Sequence, residues 1–149
     1  MKTINQIQDE IIEEFSTFDE WFDRYALLIE MANDAPLLDV RYKTVSNLIN
    51  ACQSRVWLQA DCVDNKVIYQ GESDALIVKG IISLLIKALS NHSPDEILSA
   101  NLYFIDSIGL REHLSPTRSN GLVAMLKQMK LYALVFKKRL LKNEKIKDY

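Results

Sequence analysis

From Ala75 to Leu89 the chain is apolar nearly all round, and Lys79 and Lys87 are its only charges there. A helix without a polar face cannot lie half in water, so this one has to be buried against a sheet. Either Ser73 or Asp74 is expected to cap it.

The sheet should come from the segment just before. From Arg55 to Val63 the pattern has period two, with Val56, Leu58, Ala60 and Cys62 on one face and Arg55, Trp57, Gln59 and Asp61 on the other. Asp64 and Asn65 supply a tight turn, and Val67 to Tyr69 begin the return strand. A lone hairpin is only marginally stable. A third short strand is therefore expected near Val45 to Asn50, which would put Cys52 at the bend between the first strand and the second. The expected fold is α+β, a small antiparallel sheet of about three strands covered by helices.

The helices can be read from spacing and start signals. Ile4, Ile7, Ile11, Ile12 and Phe15 recur at helical intervals, so the chain opens with an amphipathic helix. Thr17 and Glu20 form a capping-box pattern for a second helix carrying Trp21, Phe22, Tyr25, Leu28 and Ile29, which should stop before Pro36. Ser93, Pro94 and Glu96 repeat the start signal. Ser115 and Pro116 open the last long helix, with Leu122, Met125, Leu126, Met129 and Ala133 on its apolar face. The 149 residues fit one domain, 1–149, with a basic C-terminal tail from about residue 137.

Charge narrows the function. A formal net charge of −2 gives little support to nucleic-acid binding. No apolar stretch approaches the roughly 18 to 20 residues needed to cross a bilayer, so no membrane partner is expected. The amino terminus lacks the apolar block of a signal peptide, and a cytoplasmic protein is expected. The charge is unevenly placed: Met1 to Asp34 holds nine acids against two bases, and Phe136 to Tyr149 six bases against two acids.

Two cysteines cannot make a disulfide framework; Cys52 and Cys62 lie too far apart for a Cys-x-x-Cys pair, and no second cysteine pair exists to complete a zinc site, so no metal is expected. Cys52, beside the polar Gln53 and Ser54, does not read as strand filler, although free cysteines are often buried, and reactive and packed roles both stay open. Cys62 shares the apolar face of its strand and reads as inert packing. His92 and His113 read as surface or capping histidines near helix ends. Arg118 falls near the third position of a helix, where the macrodipole disfavours bases. That placement asks for an anion, either a structural ion-pair partner or a thiolate or persulfide held jointly with the amides of the helix start.

Three blocks carry a family resemblance: CQSRVW from Cys52 to Trp57, GESDALIVKG from Gly71 to Gly80, and LSPTRSNGL from Leu114 to Leu122. In this order the chain resembles the SufE family of cysteine desulfuration proteins. One departure is Ala51, which stands where the family usually has glycine before the reactive cysteine; alanine tolerates positive φ poorly. The resemblance implies a small curved antiparallel sheet covered by helices, similar to the sulfur-cluster scaffold proteins.

It also implies a sulfur acceptor in iron–sulfur cluster assembly. Cys52 would take sulfane sulfur as a persulfide from a SufS-like cysteine desulfurase, stimulate that enzyme and deliver the sulfur to a SufBCD-like scaffold complex. Gln53 and Ser54 would shape the loop, Asp74 would cap or dock, and Arg118 would stabilise the thiolate. No cofactor is expected on this chain; the pyridoxal phosphate would belong to the desulfurase. Two other classes stay in view: a stand-alone thiol-dependent redox or transfer enzyme, and a regulatory binding module of a desulfurase.

Overall fold

The computed structural model describes residues 1–50 and 53–147, with side chains through residue 143. Cys52 and Ala51 lie outside the described residues. Helix α1 (Ile4–Ser16) starts with a capping box in which Thr3 and Gln6 exchange side-chain and backbone hydrogen bonds. Helix α2 (Trp21–Asp34) ends two residues before Pro36, as expected. The Thr17 box is not used. Thr17 closes α1, its hydroxyl directed at the Glu13 carbonyl, and Glu20 precedes α2 without a side-chain cap.

Strands β1 (Val56–Val63) and β2 (Lys66–Ser73) pair antiparallel, Val56 opposite Ser73 and Val63 opposite Lys66. Asp64 and Asn65 both take positive φ, 51° and 63°, the signature of a type I′ turn, whose twist matches that of the strands it joins. The sheet has two strands rather than about three. Val45–Asn47 winds into a 3-10 turn, and the expected third strand is reduced to one bridge, Leu48 opposite Trp57.

Helix α3 (Leu76–Leu89) is the apolar segment, and Val78, Ile81, Ile82, Leu84, Leu85, Ala88 and Leu89 are all buried. It packs on β2 on one side and on α2 on the other. The close approach of α2 is possible because residue 80 is glycine: a Cβ there would lie 2.6 Å from the Leu28 carbonyl oxygen. Short helices α4 (Pro94–Ser99), α5 (Phe104–Ser107) and α6 (Leu110–His113) lead to α7 (Pro116–Lys147). The Ser93–Glu96 box forms as read. Leu122, Met125, Met129 and Ala133 bury the inner face of α7, and the Tyr69 hydroxyl donates to the Met129 carbonyl.

His92 is no surface residue. It is 2% exposed, with Nε2 2.9 Å from the Lys2 carbonyl and Nδ1 2.9 Å from that of Ser90, while its own carbonyl accepts the Val67 amide. His113 is exposed and stacks on Trp21, ring centroids 4.2 Å apart.

Candidate functional site

The described residues on either side of Cys52 are held by hydrogen bonds. On its N-terminal side the Ile49 amide donates to the Val56 carbonyl at 2.9 Å, next to the Leu48–Trp57 bridge. On its C-terminal side Gln53 is exposed and Ser54 half-buried, and Arg55 is then held by Asp74. The Asp74 carboxylate accepts the Arg55 amide at 3.1 Å and its Nε–H at 3.0 Å, and the Asp74 amide donates to the Arg55 carbonyl at 3.3 Å. Asp74 therefore does not cap α3. The N-cap residue, Ala75, offers no side-chain cap, and the Ser73 hydroxyl accepts the Ala75 amide instead.

Beneath this anchor lies a charged group that reading the sequence missed. Glu72 sits opposite Trp57 and is 6% exposed. Its carboxylate lies 2.9 Å from Lys43 Nζ and 3.4 Å from Lys79 Nζ, and it also accepts the Leu38 amide. Burial alone would raise its pKa. The hydrogen bond and charge of Lys43, with the Leu38 amide and Lys79, outweigh burial and hold the carboxyl below its usual range. Lys43 Nζ and the Arg55 guanidinium also approach the Trp57 ring, at 5.4 and 5.5 Å from its centroid. The two cations beside the indole thus each meet a carboxylate, Lys43 that of Glu72 and Arg55 that of Asp74. Lys79 was the available signal, because a charge inside an otherwise apolar helix requires a buried partner.

The remaining expected residues are dispersed. The Arg118 amide donates to the Ser115 hydroxyl, confirming the helix start. Its side chain is exposed and makes no ion pair among the described residues, so of the two anions it could meet, the structural ion-pair partner is not found there. Cys62 is half-buried beside the hairpin turn rather than packed in the core; partial burial pushes its thiol pKa up, away from reactivity. Among the described residues no group of three His, Cys, Asp or Glu could hold a metal ion, and no helix is long and apolar enough to cross a membrane.

Residues 9–133 match the family model described as SufE, Fe-S metabolism associated domain. An uncharacterised SufE-like protein of Rhizobium meliloti is 37% identical over 127 residues, covering 82% of this chain and 91% of that one. A SufE-like protein of Synechocystis is 36% identical, covering 85% and 79%. The chloroplastic/mitochondrial SufE-like protein 1 of Arabidopsis thaliana is 36% identical, and the match takes in 84% of this chain but only 34% of the plant protein. The solution structure of a hypothetical protein from Thermus thermophilus superposes with a TM-score of 0.70 at 25% identity, covering 85% of this chain and 93% of that one.

Proposed function

Since the chain belongs to the SufE family, associated with Fe–S metabolism, we propose that it is a cytoplasmic sulfur carrier whose acceptor is Cys52. The observation that carries this reading is the anchoring of the cysteine-bearing segment at both ends, by Ile49 on Val56 and by Arg55 on Asp74. A rigid frame around a short segment lets one thiol be presented to a partner without unfolding the sheet.

The donor is a cysteine desulfurase that carries a persulfide on its own cysteine, formed with its own pyridoxal phosphate. The Cys52 thiolate attacks the outer sulfur, a new S–S bond forms at Cys52, and the donor's S–S bond breaks to release the donor thiolate. One sulfur moves and no external oxidant or reductant is needed. Gln53 and Ser54 shape the segment, Asp74 fixes its exit through Arg55, and Arg118, with a guanidinium unpaired among the described residues, stabilises the thiolate or persulfide. A SufBCD-like scaffold complex then receives the sulfur.

The test is intact-protein mass spectrometry after incubation with a desulfurase and cysteine in the absence of reductant. One sulfur atom should be gained by the wild type and by Cys62→Ala but not by Cys52→Ser. Desulfurase stimulation retained in Cys52→Ser, with no sulfur gained by the wild type, would overturn the carrier reading in favour of a binding module.

A further inference from the structure

The family match ends at residue 133, yet α7 runs on to Lys147. Residues 134–147 add about 21 Å of helix at 1.5 Å per residue. Through residue 143 no side chain of this extension is buried, and the 2.8 Å pair between Lys137 and Asp95 is its last described ion pair with the body of the fold. Leu131, Leu134 and Leu141, with Val135 beside them, recur at heptad spacing, and all are substantially exposed. Lys138, Arg139 and Lys142 are exposed among them and make no ion pair among the described residues. Leucines and bases thus share one exposed side of the helix, while Phe136 on another side packs against the core and carries Arg139 over its ring.

At another place on the molecule lies a surface of the matching chemistry. A cavity of about 670 Å³ opens between α2, the loop after it, β2 and α3, with Met31, Pro36, Leu37 and Leu38 among its apolar lining. Glu14 and Asp34 also line it, both exposed and neither ion-paired among the described residues, against one base, Lys87. Leu37 is 80% exposed, an apolar side chain open to solvent beside those acids.

We propose that the α7 extension of one copy docks in this groove of a second copy, its leucines on the apolar lining and its bases toward Glu14 and Asp34. A helix laid in an apolar groove is a recurrent recognition mode, and here bases interleaved with the leucines meet acids at the groove's rim. Pairing of two α7 extensions with each other is disfavoured, because it sets basic face against basic face. The formal charge of −2 per chain opposes association only weakly.

Analytical ultracentrifugation of the full chain tests this. Self-association is expected at low ionic strength and should weaken at about 1 M salt, where the screening length falls to about 3 Å. Lys138→Glu/Arg139→Glu/Lys142→Glu should be monomeric, and so should Glu14→Lys/Asp34→Lys, because each sets like charges face to face. Mixing the two variants should restore a heterologous pair, which only this contact produces. All five positions are exposed, and circular dichroism melts on the same samples establish that the variants are folded. A wild-type dissociation constant weaker than about 1 mM, undiminished association of either variant, or failure of the mixture to pair overturns the proposal. So does a wild type that stays monomeric while binding phosphatidylserine vesicles, which would assign the extension to a lipid surface.

Discussion

Asp74 holds Arg55 at two levels, accepting its backbone amide at 3.1 Å and its guanidinium Nε–H at 3.0 Å. Both side chains are substantially exposed, 68% and 41%, so the pair is worth at most about 1 kcal/mol of global stability. Its effect is local, on the exit of the Cys52 segment three residues away. Asp74→Ala is expected to leave the melting temperature nearly unchanged while speeding alkylation of Cys52 by about fivefold, the factor that 1 kcal/mol of lost anchoring corresponds to. Iodoacetamide labelling read by mass spectrometry checks it, and an unchanged rate would leave Asp74 a surface ion pair.

Glu72 is the opposite case, because its partners are sheltered. Glu72→Gln leaves Lys79, 12% exposed, without its counter-charge, and should cost about 3 kcal/mol in urea unfolding.

The same carboxylate sets a pH dependence. Its folded pKa lies below the ordinary value of 4.5, so the unfolded chain binds the proton more readily. The stabilisation is complete above 4.5 and is lost as pH falls through the folded value. In Glu72→Gln this part of the acid slope should vanish, as urea titrations on either side of that window will show.

Gly80→Ala replaces a poor helix former with the best one, a gain of about 1 kcal/mol in an open helix. Here the new Cβ would meet the Leu28 carbonyl at 2.6 Å, and backbone cannot step aside as a side chain can. The expected result is a net loss of about 1 to 3 kcal/mol, seen as a lower melting temperature.

Arg118→Ala should leave stability within about 0.5 kcal/mol, because its side chain forms no described ion pair. Sulfur uptake by Cys52 should slow, and lysine should restore it only in part, lacking the planar fork. Melting temperature and uptake rate measured on one sample separate a thiolate contact from a structural one.

Local chemistry was legible wherever one signal had one outcome. Asp64 and Asn65 could only make the turn, Ser93 and Glu96 only the box, and the apolar run from Ala75 only a buried helix. Thr17 and Glu20 failed because the hydroxyl was already engaged at the end of α1. The third strand failed because Val45–Asn47 winds into a 3-10 turn, which leaves only one residue, Leu48, to bridge to Trp57. For the site, the motif pointed to Asp74, but its partner Arg55 lies 19 positions earlier, a pairing that exists only once β1 and β2 align. Glu72 with Lys43 and Lys79 was hidden for the same reason. Cys52 lies outside the described residues, so its role rests on the family motif and on the anchors either side of it.

His92 binds the carbonyl of Lys2 across 90 positions of chain. A growing polypeptide therefore exposes its first helix long before the residue that fastens its start has been made. At 5 to 20 residues per second that wait is on the order of ten seconds. Through that interval Ile4, Ile11 and Phe15, which end buried, have no finished core to enter. The opening helix thus completes its docking only after α3 and α5, both of which it packs against, have been made, and until then its apolar stripe stays uncovered.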